Sequence, residues 1–182
     1  MSTFSRSLIA TAAGLALFGL AACSGGGKNT GGSEETTSSA PTSAASGSGL
    51  AGFDPCTFFK PDELTSFGVS TKSEEFTQVS FQPGCAWNGE KLDIALQKNA
   101  DETVESLGKG AFDSYTPTTV AGREAAEVLV IGATGQGACN YAVSAGGGIV
   151  LYQITAAMRD TLPDPCGDLK KIVDQTASRL PK

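Results

Sequence analysis

The spacing of apolar residues changes several times along this chain, and each change marks an element. Leu8 to Leu20 is an uncharged, mostly apolar run of 13 residues. After a long polar stretch, "FDPCTFF" at 53–59 opens with Asp54-Pro55. That pair is a helix N-cap with Pro at the first helical position, and it buries Phe58 and Phe59 behind it. Pro61 restarts the helix, with Leu64 and Phe67 on one side and Gly68 as the stop. "FTQVSFQPGCAWNGEKLDIALQK" predicts a hairpin with a type I′ turn at Asn88-Gly89, and Leu92, Ile94 and Leu96 alternate with polar residues. Asp101 is the expected cap of a short helix containing Val104 and Leu107. A turn at Ala121-Gly122-Arg123 leads into a strand near Ala125 to Ile131. "ACNYAVSAGGGIVLYQITAA" predicts a hairpin turning at glycines 146–148. In "DPCGDLKKIVDQTASRL" the face Leu169, Ile172, Val173, Thr176 and Leu180 has helical spacing, with Asp164 as cap and Pro165 in the first turn. The predicted fold is α+β: a single disulfide-stapled domain with about five mostly antiparallel strands, and N- and C-terminal helices on one face.

The first apolar run is too short for a bilayer, which needs about 20 residues, but it has the length of a signal-peptide core. Arg6 precedes it, and Leu20-Ala21-Ala22-Cys23 follows. Two small residues between Leu and Cys resemble a bacterial lipobox. The resemblance implies a signal peptide over 1–22, cleavage before Cys23 and diacylglyceryl attachment to its sulfur. Two acyl chains anchor a protein stably where one does not. Residues 24–52 are dominated by Gly, Ser, Thr and Ala, and Leu50 is their one large apolar residue. Such a stretch buries too little surface to offset its ordering entropy, so 23–52 reads as the lipidated Cys and a disordered tether. The folded domain is then 53–182, placed outside the cytosol and held to the membrane by Cys23.

Composition narrows the chemistry. The chain has 13 Lys and Arg, 19 Asp and Glu, and no His, for a net charge of −6. The balance argues against nucleic acid as a partner. Without His, every Ser-His-Asp or Cys-His nucleophile scheme is excluded, as are His-ligated metals. Glu74-Glu75 and Asp160/Asp164 are carboxylate pairs, read as solvated. "GATGQG" at 132–137 does not match a P-loop and precedes a strand rather than a helix. Trp87 reads as core, and Arg123 as an exposed turn residue. No catalytic, metal, cofactor or ligand-binding residue is marked.

Four cysteines remain once Cys23 is set aside: Cys56, Cys85, Cys139 and Cys166. Their spacing contains no C-x-x-C, so neither a zinc ribbon nor a local redox pair is read. An even count in an exported domain predicts two disulfides. Cys85 lies near a strand end, and Cys139 and Cys166 fall at one end of the predicted sheet. This topology favours Cys56–Cys85 with Cys139–Cys166; the nested pairing, Cys56–Cys166 with Cys85–Cys139, stays open.

A lipobox and tether ahead of "DPC", then "CAW", "VAGREA", a strand beginning at Cys139, and a second "DPC" opening a helix that ends in "RLP" together resemble the actinobacterial lipoproteins grouped as domain of unknown function 3558. The resemblance covers about residues 53–181. It implies an envelope location in a high-GC Gram-positive bacterium and carries no catalytic residues over. The expected function is a non-enzymatic, lipid-anchored binding or interaction module with an unidentified envelope partner. A carboxylate-based envelope hydrolase and a carrier of an apolar ligand are the alternatives.

Overall fold

A computed structural model of the chain describes residues 49–182. The expected signal peptide, Cys23 and most of the expected tether lie outside the described residues. Two short 3₁₀ turns, Gly49–Gly52 and Pro55–Thr57, lead into helix α1, Pro61–Phe67. Strands β1 Glu74–Thr77, β2 Pro83–Trp87 and β3 Leu92–Asn99 come next, then helix α2, Val104–Leu107. Strands β4 Ser114–Val120, β5 Arg123–Leu129, β6 Ala138–Ala145 and β7 Gly148–Ala156 precede helix α3, Pro165–Thr176. All seven strands form one antiparallel sheet in the order β1-β2-β3-β7-β6-β5-β4.

The sheet has seven strands where about five were expected, and the two extra ones are its edges. β1 offers one apolar residue, Phe76, among exposed neighbours, and β4 carries Pro117 in its middle. Edge strands bury little, so they show little alternation, and acidic residues or Pro block pairing with another chain. The strand expected near Ala125 to Ile131 is β5 and ends at Leu129; Val130 and Ile131 are exposed. The short helix is capped by Thr103, which accepts from the N–H of Ser106, and not by Asp101. Asn88-Gly89 does not make a two-residue turn. Four residues separate β2 from β3, and Gly89 is needed because a Cβ there would lie 2.4 Å from the carbonyl oxygen of Gly68. The turn at Ala121-Gly122 does have the left-handed backbone that a two-residue hairpin requires, with φ of 51° and 75°.

The fold starts before residue 53. Leu50 is 2% exposed and part of the core, so 49–52 belong to the domain rather than to a tether. Its backbone N–H donates to the carbonyl of Gly146 in the β6–β7 turn. Lys98 of β3 ties down the same segment, its Nζ donating to the carbonyls of Leu50 at 3.0 Å and Phe53 at 2.6 Å.

One face of the sheet carries the main core. Trp87, Ile94, Leu96, Tyr152 and Ile154 point from the strands toward Phe59, Leu64, Leu169, Ile172 and Val173 from the helical segments. Edge-to-face aromatic pairs link Phe59 to Trp87, Phe67 and Tyr152. α2 covers part of the other face, where Val104 packs with Ala126, Val128, Ala142 and Ile149. The N- and C-terminal helical segments therefore share one face. Glu63 and Arg179 join them, with contacts of 2.6 and 2.8 Å.

Candidate functional site

Each Asp-Pro-Cys segment sits at a cleft. Asp164, Pro165 and Cys166 line a cleft of about 460 Å³ between the loop after β5 and the segment joining β7 to α3. Leu129, Ala138 and Leu162 also line it, and Arg159 and Asp160 bring charge to it. Arg159 donates to the side-chain oxygen of Gln136 at 2.5 Å, which joins the two loops. Asp54, Pro55 and Cys56 line a second cleft of about 490 Å³ with Glu75, Pro83, Gly84 and Lys98. A third, about 370 Å³, lies on the part of the sheet that α2 leaves open, with Ala86, Ala95 and Gln153 among its lining residues and Glu74 and Asp93 as its acidic ones.

Both cysteine pairs are bridged. Cys56 is joined to Cys85 with Cα atoms 5.0 Å apart, and Cys139 to Cys166 with Cα atoms 5.2 Å apart. In each pair the strand residue is buried and the helical residue partly exposed; Cys139 is fully buried. The surroundings differ. The carboxylate of Glu127, on β5, and the two sulfurs of Cys139 and Cys166 have ligating atoms all within 4.8 Å of one another. Among the described residues no other group of three Cys or acidic side chains is so close.

Tyr141 of β6 fixes that carboxylate. Its hydroxyl donates to Glu127 Oε2 at 2.6 Å. Burial, then the carboxylate that accepts its proton, pushes the Tyr141 hydroxyl far above the ordinary phenol value, so it remains a donor. On the other side of the core, Glu63 is held below the ordinary carboxylate value. Burial pushes it up, but the hydrogen bonds from Arg179 and the Lys60 N–H, with the Arg179 charge, outweigh it.

The sequence-marked residues separate clearly. Trp87 is 1% exposed and belongs to the core. Arg123 is not an exposed turn residue: its guanidinium donates to the carbonyls of Ser144, Leu180 and Pro181 at 2.6 to 3.1 Å and holds the C-terminal segment. Glu74 and Glu75 are exposed on the edge strand β1. Asp164 caps α3 by accepting from the N–H of Gly167, while Asp160 lines the cleft. The 132–137 loop is held by Asp113, which accepts from the N–H of Gly132 and from the N–H and hydroxyl of Thr134. Glu127 was not singled out from the sequence. Its signal was its phase, because it shares a strand face with Ala125 and Leu129, two residues that pack on the helix-covered side.

A family model described as Protein of unknown function (DUF3558) matches residues 18–179. The chain belongs to this family. The match takes in both clefts, both disulfides and Glu127, so the DUF3558 region includes the whole α+β domain except its last three residues. No curated protein and no solved structure matches the chain. Among the described residues of this DUF3558 protein, no helix is long and apolar enough to cross a membrane.

Proposed function

We propose that this chain is a lipid-anchored protein of an actinobacterial cell envelope and acts as a binding or interaction module. Cys23 carries the diacylglyceryl group, and residues 24–48 serve as the tether. One observation about the domain supports this reading. The chain enters at Leu50 beside the β6–β7 turn, whereas the 460 Å³ cleft lies past the opposite ends of those strands. Tyr141 pairs with Tyr152 midway along β6 and β7, and Cys139 is one position from the far end of β6. Eight residues of strand span about 27 Å. A tether attached at Leu50 presents that cleft away from the lipid.

The test places a photoreactive amino acid at Asp160, beside the cleft, or at Gly147, in the turn, in cells carrying the full chain. Cross-linked envelope protein is expected from position 160 and not from 147; the reverse pattern refutes the reading. Cys23→Ala should move the chain from the detergent phase to the aqueous phase in a phase partition. Retention in the detergent phase would remove the anchor from the proposal.

A further inference from the structure

Of the two disulfides, only one combines a cysteine lining a cleft and a buried partner with the start of a long helix and a neighbouring carboxylate. Cys166 is in the first turn of the twelve-residue α3 and lines the 460 Å³ cleft. Cys139 is fully buried beneath it. Glu127, fixed by Tyr141, reaches to within 4.8 Å of both sulfurs. We propose that Cys139–Cys166 is a thiol–disulfide exchange site, taking an external thiol through the cleft, while Cys56–Cys85 is a structural staple.

The chemistry rests on this placement. An incoming thiol meets Cys166, the half of the bridge that lines the cleft and is partly exposed. Its proton passes to the Glu127 carboxylate through one intervening water, and the thiolate attacks Cys166 Sγ. The Cys139–Cys166 bond breaks and a mixed disulfide with Cys166 forms. Cys139 leaves as a thiolate and takes the proton back from Glu127. A second external thiol gives its proton to solvent and, as the thiolate, attacks the external sulfur of the mixed disulfide. Cys166 leaves as a thiolate and is protonated by solvent; two external thiols have become one external disulfide, and the chain's disulfide has become a dithiol. In reverse, Cys166 is the attacking thiolate, stabilised by the first-turn N–H groups of α3 and its dipole, and Cys139 resolves the mixed disulfide.

Cys56 has no long helix behind it, and among the described residues no carboxylate is grouped with its sulfur. Its 3₁₀ turn is three residues long. The groups that face Glu127 are Tyr141 and Cys139 from β6 and Cys166 from α3, with the charges of Asp164 and Asp174 from α3 also acting on Tyr141.

The full chain in detergent is equilibrated with graded ratios of reduced to oxidised dithiothreitol, alkylated, and read cysteine by cysteine through peptide mass spectrometry. Cys139 and Cys166 should become alkylated at a ratio at least tenfold lower than Cys56 and Cys85, with near-ultraviolet circular dichroism retained. Joint reduction of all four, or reduction of Cys56–Cys85 first, overturns the proposal. In a second arm, Cys139→Ser and Cys166→Ser each leave one partner free. Glutathione disulfide should form a mixed disulfide at Cys166 at least tenfold faster than at Cys139; equal or reversed rates overturn the assignment. If either variant fails to fold, the wild-type titration still decides. Glu127→Gln should slow reduction by glutathione about tenfold; an unchanged rate excludes the proton-transfer role. Replacing glutathione by a cysteinyl peptide at equal concentration separates the sources, because faster exchange with the peptide points to a protein thiol and faster exchange with glutathione to a small one.

Discussion

Asp54-Pro55-Cys56 makes one 3₁₀ turn and stops, whereas Asp164-Pro165-Cys166 opens a helix of twelve residues. The start is built alike in both. The Asp side chain accepts a backbone N–H, from Cys56 in the first case and from Gly167 in the second, and Pro occupies the first position. The residues downstream decide the length. Pro61 forces Lys60 into extended backbone with ψ of 152°, so the first start cannot run on and α1 must begin again. Phe58 and Phe59 are thereby turned into the aromatic cluster. After Cys166 no Pro intervenes, and Leu169, Ile172, Val173 and Thr176 bury one continuous stripe. A repeated tripeptide thus sets where a helical segment starts and where a cysteine is held, while its neighbours decide what is built from it.

The sharpest way to break this comparison is to remove each staple. The closed loops are nearly equal, 29 and 27 residues. Chain entropy alone then assigns each about 3 to 4 kcal/mol. Paired Ala substitution at 56 and 85, or at 139 and 166, should lower urea-unfolding stability by similar amounts. A difference well beyond about 1 kcal/mol would show that the surroundings, and not loop closure, dominate. The exchange experiment asks the complementary question, since equal stabilisation is compatible with unequal reactivity.

A smaller effect is expected where the first region is tied to the C-terminal one. Arg179 grips Glu63 and lies 5.0 Å from the centre of the Phe58 ring. Arg179→Met leaves Glu63 buried without its cation and should cost about 2 kcal/mol. Among the described residues the start of α3 has no such buried ion pair, so its neighbouring exposed pair, Lys171 with Asp168, should have little effect on stability when broken by Lys171→Met. The Glu63 clamp also predicts an acid dependence. Its carboxyl titrates below its ordinary value of 4.5 in the folded state. The contribution is therefore complete above the unfolded value and lost as pH falls through the lower folded value. Glu63→Gln should flatten stability against pH in that acid window, as measured by thermal unfolding; an unaltered slope would remove Glu63 as its source.

The smallest expected effects separate the two caps. Asp164→Ala should cost about 1 kcal/mol, because a twelve-residue helix depends on it. Asp54→Ala should cost about half of that, because its cap serves only a three-residue turn. Equal losses by denaturant unfolding would show that the first cap holds more than its own turn.

Much of the central fold was legible because central elements bury apolar residues with a period. Leu92, Ile94 and Leu96 mark β3, and Leu169, Ile172, Val173 and Thr176 mark α3. β1 and β4 escaped because edges bury little, and Leu50 escaped because one apolar residue in a Gly and Ser stretch has no period. Arg123 looked exposed because its turn is exposed; the carbonyls it grips belong to Ser144 and to residues near the C-terminus. Glu127 lay in phase with buried positions, but phase alone names no partner.

By itself the sequence determined the two Asp-Pro helix starts, the glycine turns after Val120 and Ala145, the main apolar stripes and the absence of any histidine chemistry. These come from local backbone preference and from residue type, which need no distant contact. Tertiary structure decided between the two cysteine pairings, which cysteine of each bridge lines a cleft, and that a glutamate from β5 stands beside one bridge and not the other. Cys139 and Cys166 are 27 residues apart in the chain, and Glu127 is farther still from Cys166. Only the pairing of β5 with β6, and the packing of α3 across β6 and β7, bring these groups together.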